Sequence, residues 1–200
     1  MLILKESGYV FDLAAMPATT ESLGRIGPYS LNEVADNALV SLAVPQSRLK
    51  RAAEHLHDHY GLELPDPEVV YTNSANSQSI FWMARNQWMI ERPELQDPNW
   101  AATLASAQIG YVTEQTGAWV RFDLEGPSLE RVLQRLANVG AARWVDAVAI
   151  RTSIHHLGVF VICRGSVVSM YGPRSSADSL ARAVKFAMHT VRGLEDDHEV

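Results

Sequence analysis

Three histidines cluster at alternate positions, His55, His57 and His59, and raise the question of a metal site. On a helix, His55 and His59 stand one turn apart and could share an ion. His57 falls on the opposite flank of the apolar stripe, so the three cannot converge, and spacing marks no third ligand. They read as solvated or interface histidines beside a buried face. His155 and His156 are neighbours, and on a strand their side chains would point to opposite faces, so at most one could join a site. Cys163 ends the apolar run Val159–Cys163; with no basic partner at a defined spacing, it reads as a buried thiol and not a nucleophile. The nearest approach to a nucleophile elbow, Thr20-Glu21-Ser22-Leu23-Gly24, lacks the first glycine and the strand-turn-helix that exposes the serine. Gly24-x-x-Gly27 is not followed by Lys-Ser/Thr, and no GxGxxG occurs, so no phosphate cradle is encoded. Glu195-Asp196-Asp197 sit in an acidic tail, 194–200, and read as solvated charge. The residues nominate no catalytic, cofactor-binding or metal-ligating group.

The elements that would position such groups alternate between strands and single amphipathic helices. Asn37–Val44 is a short apolar run that suits a buried strand. Ser47–Tyr60 has helical spacing of Leu49, Ala52, Ala53, Leu56 and Tyr60, with Gly61 where a C-terminal cap belongs. A strand is expected at Val69–Thr72 after Pro65 and Pro67. Ile80–Met83 and Gln87–Ile90 flank Arg85-Asn86 as a hairpin. Asp97-Pro98 opens a helix that runs to about Gln108 and stops at Gly110. Tyr111–Glu114 and Ala118–Leu124, around Thr116-Gly117, read as a second hairpin. In its latter strand Val120, Phe122 and Leu124 share one face, and Trp119, Arg121 and Asp123 the other. Gly126-Pro127 starts the most regular helix, striped by Leu129, Val132, Leu133, Leu136 and Ala137. Strands are expected at Asp146–Ser153, Leu157–Cys163 and Val167–Tyr171, and Ser175-x-x-Asp178 is a capping box for the last helix. The pattern is α+β: mostly antiparallel sheet with packed helices. No internal repeat stands out. The chain reads as one unit, 1–200, with room for two sub-lobes meeting near residue 110.

Of 200 residues, 47% are apolar and 20% charged, which excludes disorder as the main state. A formal net charge of −6 with no basic run argues against nucleic acid as a partner. No apolar stretch approaches the length of a membrane-spanning helix. The start shows no secretory signal, and a lone cysteine excludes an internal disulfide, which together point to the cytoplasm. The aromatic hairpin is the most pointed feature. Trp88 and Ile90 share one face and Gln87 and Met89 the other; across the turn, Ile80 pairs in facing with Trp82, and Phe81 with Met83. Both faces are apolar, so one must be covered by the chain's helices or by a partner. Trp82 and Trp88 are therefore candidate partner-interface residues. Arg174 joins them: it precedes the capping serine of the last helix, where a cation does not favour the dipole, which hints at a salt bridge within the fold or to a partner.

The order of these motifs is familiar from Ser79 onward. Ile80-Phe81-Trp82 leads through Ala84–Ile90; Val112–Phe122 runs into Leu124-Glu125-Gly126-Pro127 and the Leu129/Val132/Leu133 helix; Arg151-Thr152 precedes Leu157–Ile162; Pro173-Arg174-Ser175 starts the terminal helix. Over about residues 60–190 the chain resembles the gamma subunit of heterotetrameric sarcosine oxidase. That family is similar in fold to the folate-binding aminomethyltransferase of glycine cleavage, without its C-terminal barrel. The family's hairpin turn usually reads Gly-Pro-acidic, where this chain has Ala84-Arg85-Asn86. The resemblance implies a non-catalytic subunit with an assembly role, whose partners are the alpha, beta and delta subunits. FAD, FMN, NAD and zinc would belong to those partners and no cofactor to this chain. The implied complex is an oxidoreductase that oxidises sarcosine to glycine, makes hydrogen peroxide and can pass the one-carbon unit to tetrahydrofolate. The alternative is a stand-alone aminomethyltransferase-like protein that binds tetrahydrofolate itself.

Overall fold

Alternation along Trp119–Glu125 sends Val120, Phe122 and Leu124 to one side, where all are buried, and Trp119, Arg121 and Asp123 to the other, where each is half-buried. The computed structural model, which describes residues 23–73, 75, 77–93 and 99–196, places this strand inside one of two antiparallel sheets. In chain order the strands are β1 (Gly24–Ile26), β2 (Tyr29–Val34), β3 (Asn37–Ala43), β4 (Val70–Asn73), β5 (Gln78–Ala84), β6 (Gln87–Pro93), β7 (Tyr111–Glu114), β8 (Trp119–Glu125), β9 (Ala149–Ile154), β10 (Leu157–Arg164) and β11 (Val167–Pro173). The helices are α1 (Leu49–Tyr60), α2 (Trp100–Ser106), α3 (Leu129–Leu136) and α4 (Ala177–Asp196). One sheet has the order β1-β2-β8-β11-β10-β9 and the other β4-β5-β6-β3-β7.

Three apolar layers hold these elements. Ala52 and Leu56 of α1 and Trp100 and Leu104 of α2 pack on Val40, Leu42, Ile80, Trp88 and Ile90 of the five-stranded sheet. Val132 and Leu133 of α3 and Leu180, Val184 and Met188 of α4 pack on Val120, Phe122, Leu124 and Met170 of the six-stranded sheet. The inner faces meet through Leu39, Phe81 and Met89 on one side and Phe160, Ile162 and Tyr171 on the other. The result is helix, sheet, sheet, helix. Both faces of the β5–β6 hairpin are covered within the chain, one by helices and the other by the second sheet.

The two sheets are built alike. The series β3-α1-β4-β5-β6-α2 and β8-α3-β9-β10-β11-α4 occupy matching places, with β4-β5-β6-β3 in one sheet answering β9-β10-β11-β8 in the other. The strand before each series is exchanged: β2 pairs with β8 and β7 with β3. One separation along the chain recurs between Leu49 and Leu129, between the hairpin closures Ala84–Gln87 and Arg164–Val167, and between Pro93 and Pro173. The halves join edge to edge at a bridge between Val69 and Val148, where the Val70 N–H donates to the Ala147 carbonyl at 3.0 Å and the Ala149 N–H to the Glu68 carbonyl at 2.9 Å. A repeat that the sequence does not display is thus present in the order of elements, because the matched positions keep burial and pairing and rarely the residue.

Most expected elements are present, and α1 ends as its sequence requires. Gly61 adopts φ 61° and its N–H bonds back to His57, while a Cβ there would meet Asn73 Nδ2 at 2.5 Å. The second hairpin is a correction: β7 and β8 are strands, but each joins a different sheet. The Gln115 N–H donates to the Leu39 carbonyl at 2.8 Å, and the Ala118 carbonyl accepts from the Arg174 N–H at 2.9 Å, so residues 115–118 cross between the sheets. The last helix is preceded by a 3-10 turn, Arg174–Ser176, with no side-chain cap, and continues to Asp196, into the segment expected to be tail. The Asp97-Pro98 opening, Ser22 and Asp197 lie outside the described residues.

Candidate functional site

Where β3, β5, β6, β8, β10 and β11 face each other, the apolar inner layer gives way to a cluster of charge. Glu91 of β6 is 4% exposed. Its Oε1 accepts from Asn37 Nδ2 at 2.7 Å and Arg121 Nη1 at 2.9 Å; its Oε2 accepts from the Tyr171 hydroxyl at 2.7 Å, Ser79 Oγ at 3.1 Å and Arg164 Nη2 at 3.3 Å. Arg121 closes a two-point fork on Asp123, Nε to Oδ1 at 2.8 Å and Nη2 to Oδ2 at 2.7 Å. Arg164 also donates to Ser169 Oγ at 2.8 Å and to Ser79 Oγ at 2.9 Å. Two residues apart on β8, Arg121 and Asp123 point into the same inter-sheet space.

Burial alone would push the Glu91 carboxyl up; the Arg121 and Arg164 guanidiniums, with bonds from Tyr171 and Arg121, outweigh it and hold the pKa below the usual carboxylate value. Burial is the main reason the Tyr171 hydroxyl titrates above its ordinary range, so it stays a neutral donor. With both oxygens of Glu91 occupied and its proton held off, this carboxylate is a poor general base. Chemically, the cluster is a lock between two sheets. Glu91, Arg164 and Tyr171 were not candidates from sequence; the available signal was a glutamate in phase with Met89, directly after the apolar run Trp88–Ile90.

The residues nominated from sequence fall in separate places. Trp82 and Trp88 oppose each other across the hairpin and line a cavity of about 520 Å³ beside α1. Trp88 is internal to the chain, 6% exposed, with its indole N–H donating to the Pro65 carbonyl at 2.9 Å, so it is not an outward-facing anchor. Trp82 is half-buried. Arg174 opens the 3-10 turn before α4, away from both tryptophans in the pairing scheme, its backbone tied to Ala118. His55 and His59 stack with ring centroids 4.1 Å apart, His59 Nδ1 donating to the His55 carbonyl, and His57 meets Asp58 at 3.2 Å. Burial, then the charges of His59 and Arg51, lower the His55 pKa. Among the described residues, no three His, Cys, Asp or Glu side chains are arranged to hold a metal ion. His155 and His156 form the turn between β9 and β10 with φ of 46° and 67°, both exposed, in the gap between the two expected strands. Cys163 is buried, and burial, helped by Asp146, pushes its thiol up to about 11.

No family model matches the chain, and no curated protein matches it in sequence. Solved structures do. A chain of the heterotetrameric sarcosine oxidase from Corynebacterium sp. U-96, in complex with pyrrole 2-carboxylate, superposes with a TM-score of 0.69 at 20% identity, covering 84% of this chain and 88% of that one. The chain has the fold of a sarcosine oxidase subunit. The glycine cleavage system aminomethyltransferase T from Bartonella henselae follows at a TM-score of 0.55 and 16% identity, over 78% of this chain but 45% of that one. The sarcosine oxidase-type fold therefore accounts for this chain nearly end to end, and for under half of the aminomethyltransferase. No described helix is long and apolar enough to cross a membrane.

Proposed function

We propose that this chain is a non-catalytic, gamma-type subunit of a sarcosine oxidase-like oxidoreductase complex, with a structural role in assembly. The observation that carries the reading is the mutual coverage, 84% of this chain against 88% of a heterotetrameric sarcosine oxidase chain. A free-standing aminomethyltransferase-like folate binder has less support, since the shared part is 45% of that enzyme. The chemistry of the inter-sheet cluster agrees: its carboxylate is consumed by Asn37, Ser79, Arg121, Arg164 and Tyr171 of the same chain. In this reading flavins, dinucleotide and zinc reside in the alpha, beta and delta partners, the one-carbon unit of sarcosine passes to tetrahydrofolate there, and the assembly works in the cytoplasm. The test is to pull down the tagged chain from its native cells and identify what comes with it. Recovery of a large flavoprotein, with sarcosine-dependent peroxide production by the recovered complex, supports the proposal. A chain recovered alone that releases measurable heat on titration with tetrahydrofolate would overturn it for the alternative.

A further inference from the structure

The second half of the chain is an internal control for the cavity beside Trp82. The fifth residue of α1 is Ala53, half-buried, and the fifth residue of α3 is Leu133, 1% exposed in the core beneath it. Pro65 precedes the bridged Val69 by the same step as Trp144 precedes Val148, and Trp144 packs on the core under α3 and α4. The second half thus spends a leucine and a tryptophan where the first has an alanine and a proline. The difference leaves the space of about 520 Å³ between α1, residues 64–67 and the β5–β6 hairpin, within the size range of a genuine binding pocket. Trp82 lies half-exposed in it, with no hydrogen bond from its indole N–H among the described residues. The rim is cationic. Arg85, at the hairpin turn, is exposed and makes no ion pair or hydrogen bond within the described chain, and Lys50 has a loose 3.8 Å contact with Glu54; Asp66 is the carboxylate of the lining.

We infer that this groove receives a segment of a partner subunit that carries an apolar side chain next to a carboxylate. The apolar group seats against Trp82, where desolvating an indole contributes most. The carboxylate meets Arg85, which has no ion pair among the described residues, with Lys50, already shared with Glu54, as the second cation of the rim. The inference rests on the assembly reading above and names where assembly occurs. Filling the groove the way the second half fills it is the direct perturbation.

Ala53→Leu should leave the melting temperature of the free chain unchanged or raised, and reduce recovery of the partner in a pull-down by about tenfold or more. Arg85→Glu, on an exposed side chain, should leave melting unchanged, weaken recovery similarly and do so most at low salt. This second variant keeps the test decisive if Ala53→Leu misfolds. Wild-type recovery with both folded variants recovered equally well overturns the groove and leaves the assembly reading intact. A wild type that recovers no partner overturns both. A wild type that sediments as a dimer, which Ala53→Leu converts to monomer, gives the groove to a second copy and overturns the inference.

Discussion

Removing the Glu91 carboxylate should be among the most damaging single changes this fold can suffer short of gutting a core. Glu91→Ala leaves Arg121 with its fork on Asp123, and Arg164 with Ser169 and Tyr171, but strips each guanidinium of its shared anion. Breaking one partner out of a buried pair costs about 3–5 kcal/mol. Both arginine side chains retain 18% exposure, so water relieves part of the penalty and the lower end, about 3 kcal/mol, is expected. For a chain of this size that is a fall in Tm of roughly 6–12 °C.

The pH dependence gives an independent readout with a definite sign. The folded pKa of Glu91 lies below its ordinary value, so the ionised pair stabilises the fold fully above the unfolded carboxylate range. That contribution is lost as pH falls through the folded pKa. Urea midpoints of the wild type, followed by tryptophan fluorescence, should therefore decline on acidification, and Glu91→Gln should flatten that decline while lowering the midpoint at neutral pH. A Glu91→Ala variant within ~0.5 kcal/mol of wild type would refute the reasoning. So would identical acid slopes for wild type and Glu91→Gln.

Three further changes are decided by burial and backbone geometry. Trp88→Ala, which empties a site buried on the helical side of the hairpin and orphans the Pro65 carbonyl, should destabilise the free chain by about 3–5 kcal/mol in chemical denaturation, and Trp82→Ala by distinctly less. Cys163 should react slowly with a disulfide reagent at pH 8 in the folded chain and rapidly in denaturant, since burial holds its thiol at about 11. Gly61→Ala should cost at least about 1 kcal/mol in thermal unfolding, because φ is 61° and the new methyl would displace the Asn73 amide from the Tyr60 carbonyl.

Local structure was legible where periodicity and punctuation agree. The stripe from Leu129, the Gly61 cap and the alternation in β8 each dictate an element and its buried face, and each is present. Pairing was not legible across residues 115–118. A Thr-Gly pair between two short strands carries a hairpin signal, and only the distant partners β3 and β2 decide that the strands part company. The inter-sheet lock was half legible. Arg121 and Asp123 could be placed on one face of β8, but an arginine at the end of β10 and a tyrosine in β11 carry no mark of meeting Glu91, because sequence periodicity specifies a face and never what stands opposite. The tryptophans show the same limit. An apolar hairpin needs cover on both sides, and whether helix, sheet or partner provides it depends on packing beyond the hairpin itself.

The duplicated architecture also explains why the charged cluster sits where it does. Glu91 is the fifth residue of β6 and Tyr171 the fifth of β11, so matching positions of the two halves touch each other, at 2.7 Å. Contact between matching positions places them at the axis relating the halves. In a symmetric dimer of one such half, the two positions would be identical by necessity. Two glutamates at that distance could not both stay ionised, and one would be driven to hold a proton. Two tyrosines would leave Arg121 only its fork on Asp123, and Arg164 without the carboxylate it now meets, in a partly dry space. Carrying both halves on one chain removes the constraint: one position supplies the acceptor and the other the donor, and two arginines from the six-stranded sheet complete the charge balance. The same freedom acts at the outer face, where Ala53 and Leu133 occupy matching places and one half keeps a groove that the other has filled. Asymmetry at the axis stabilises the fold, and asymmetry at the rim leaves one of the two halves with a surface to offer.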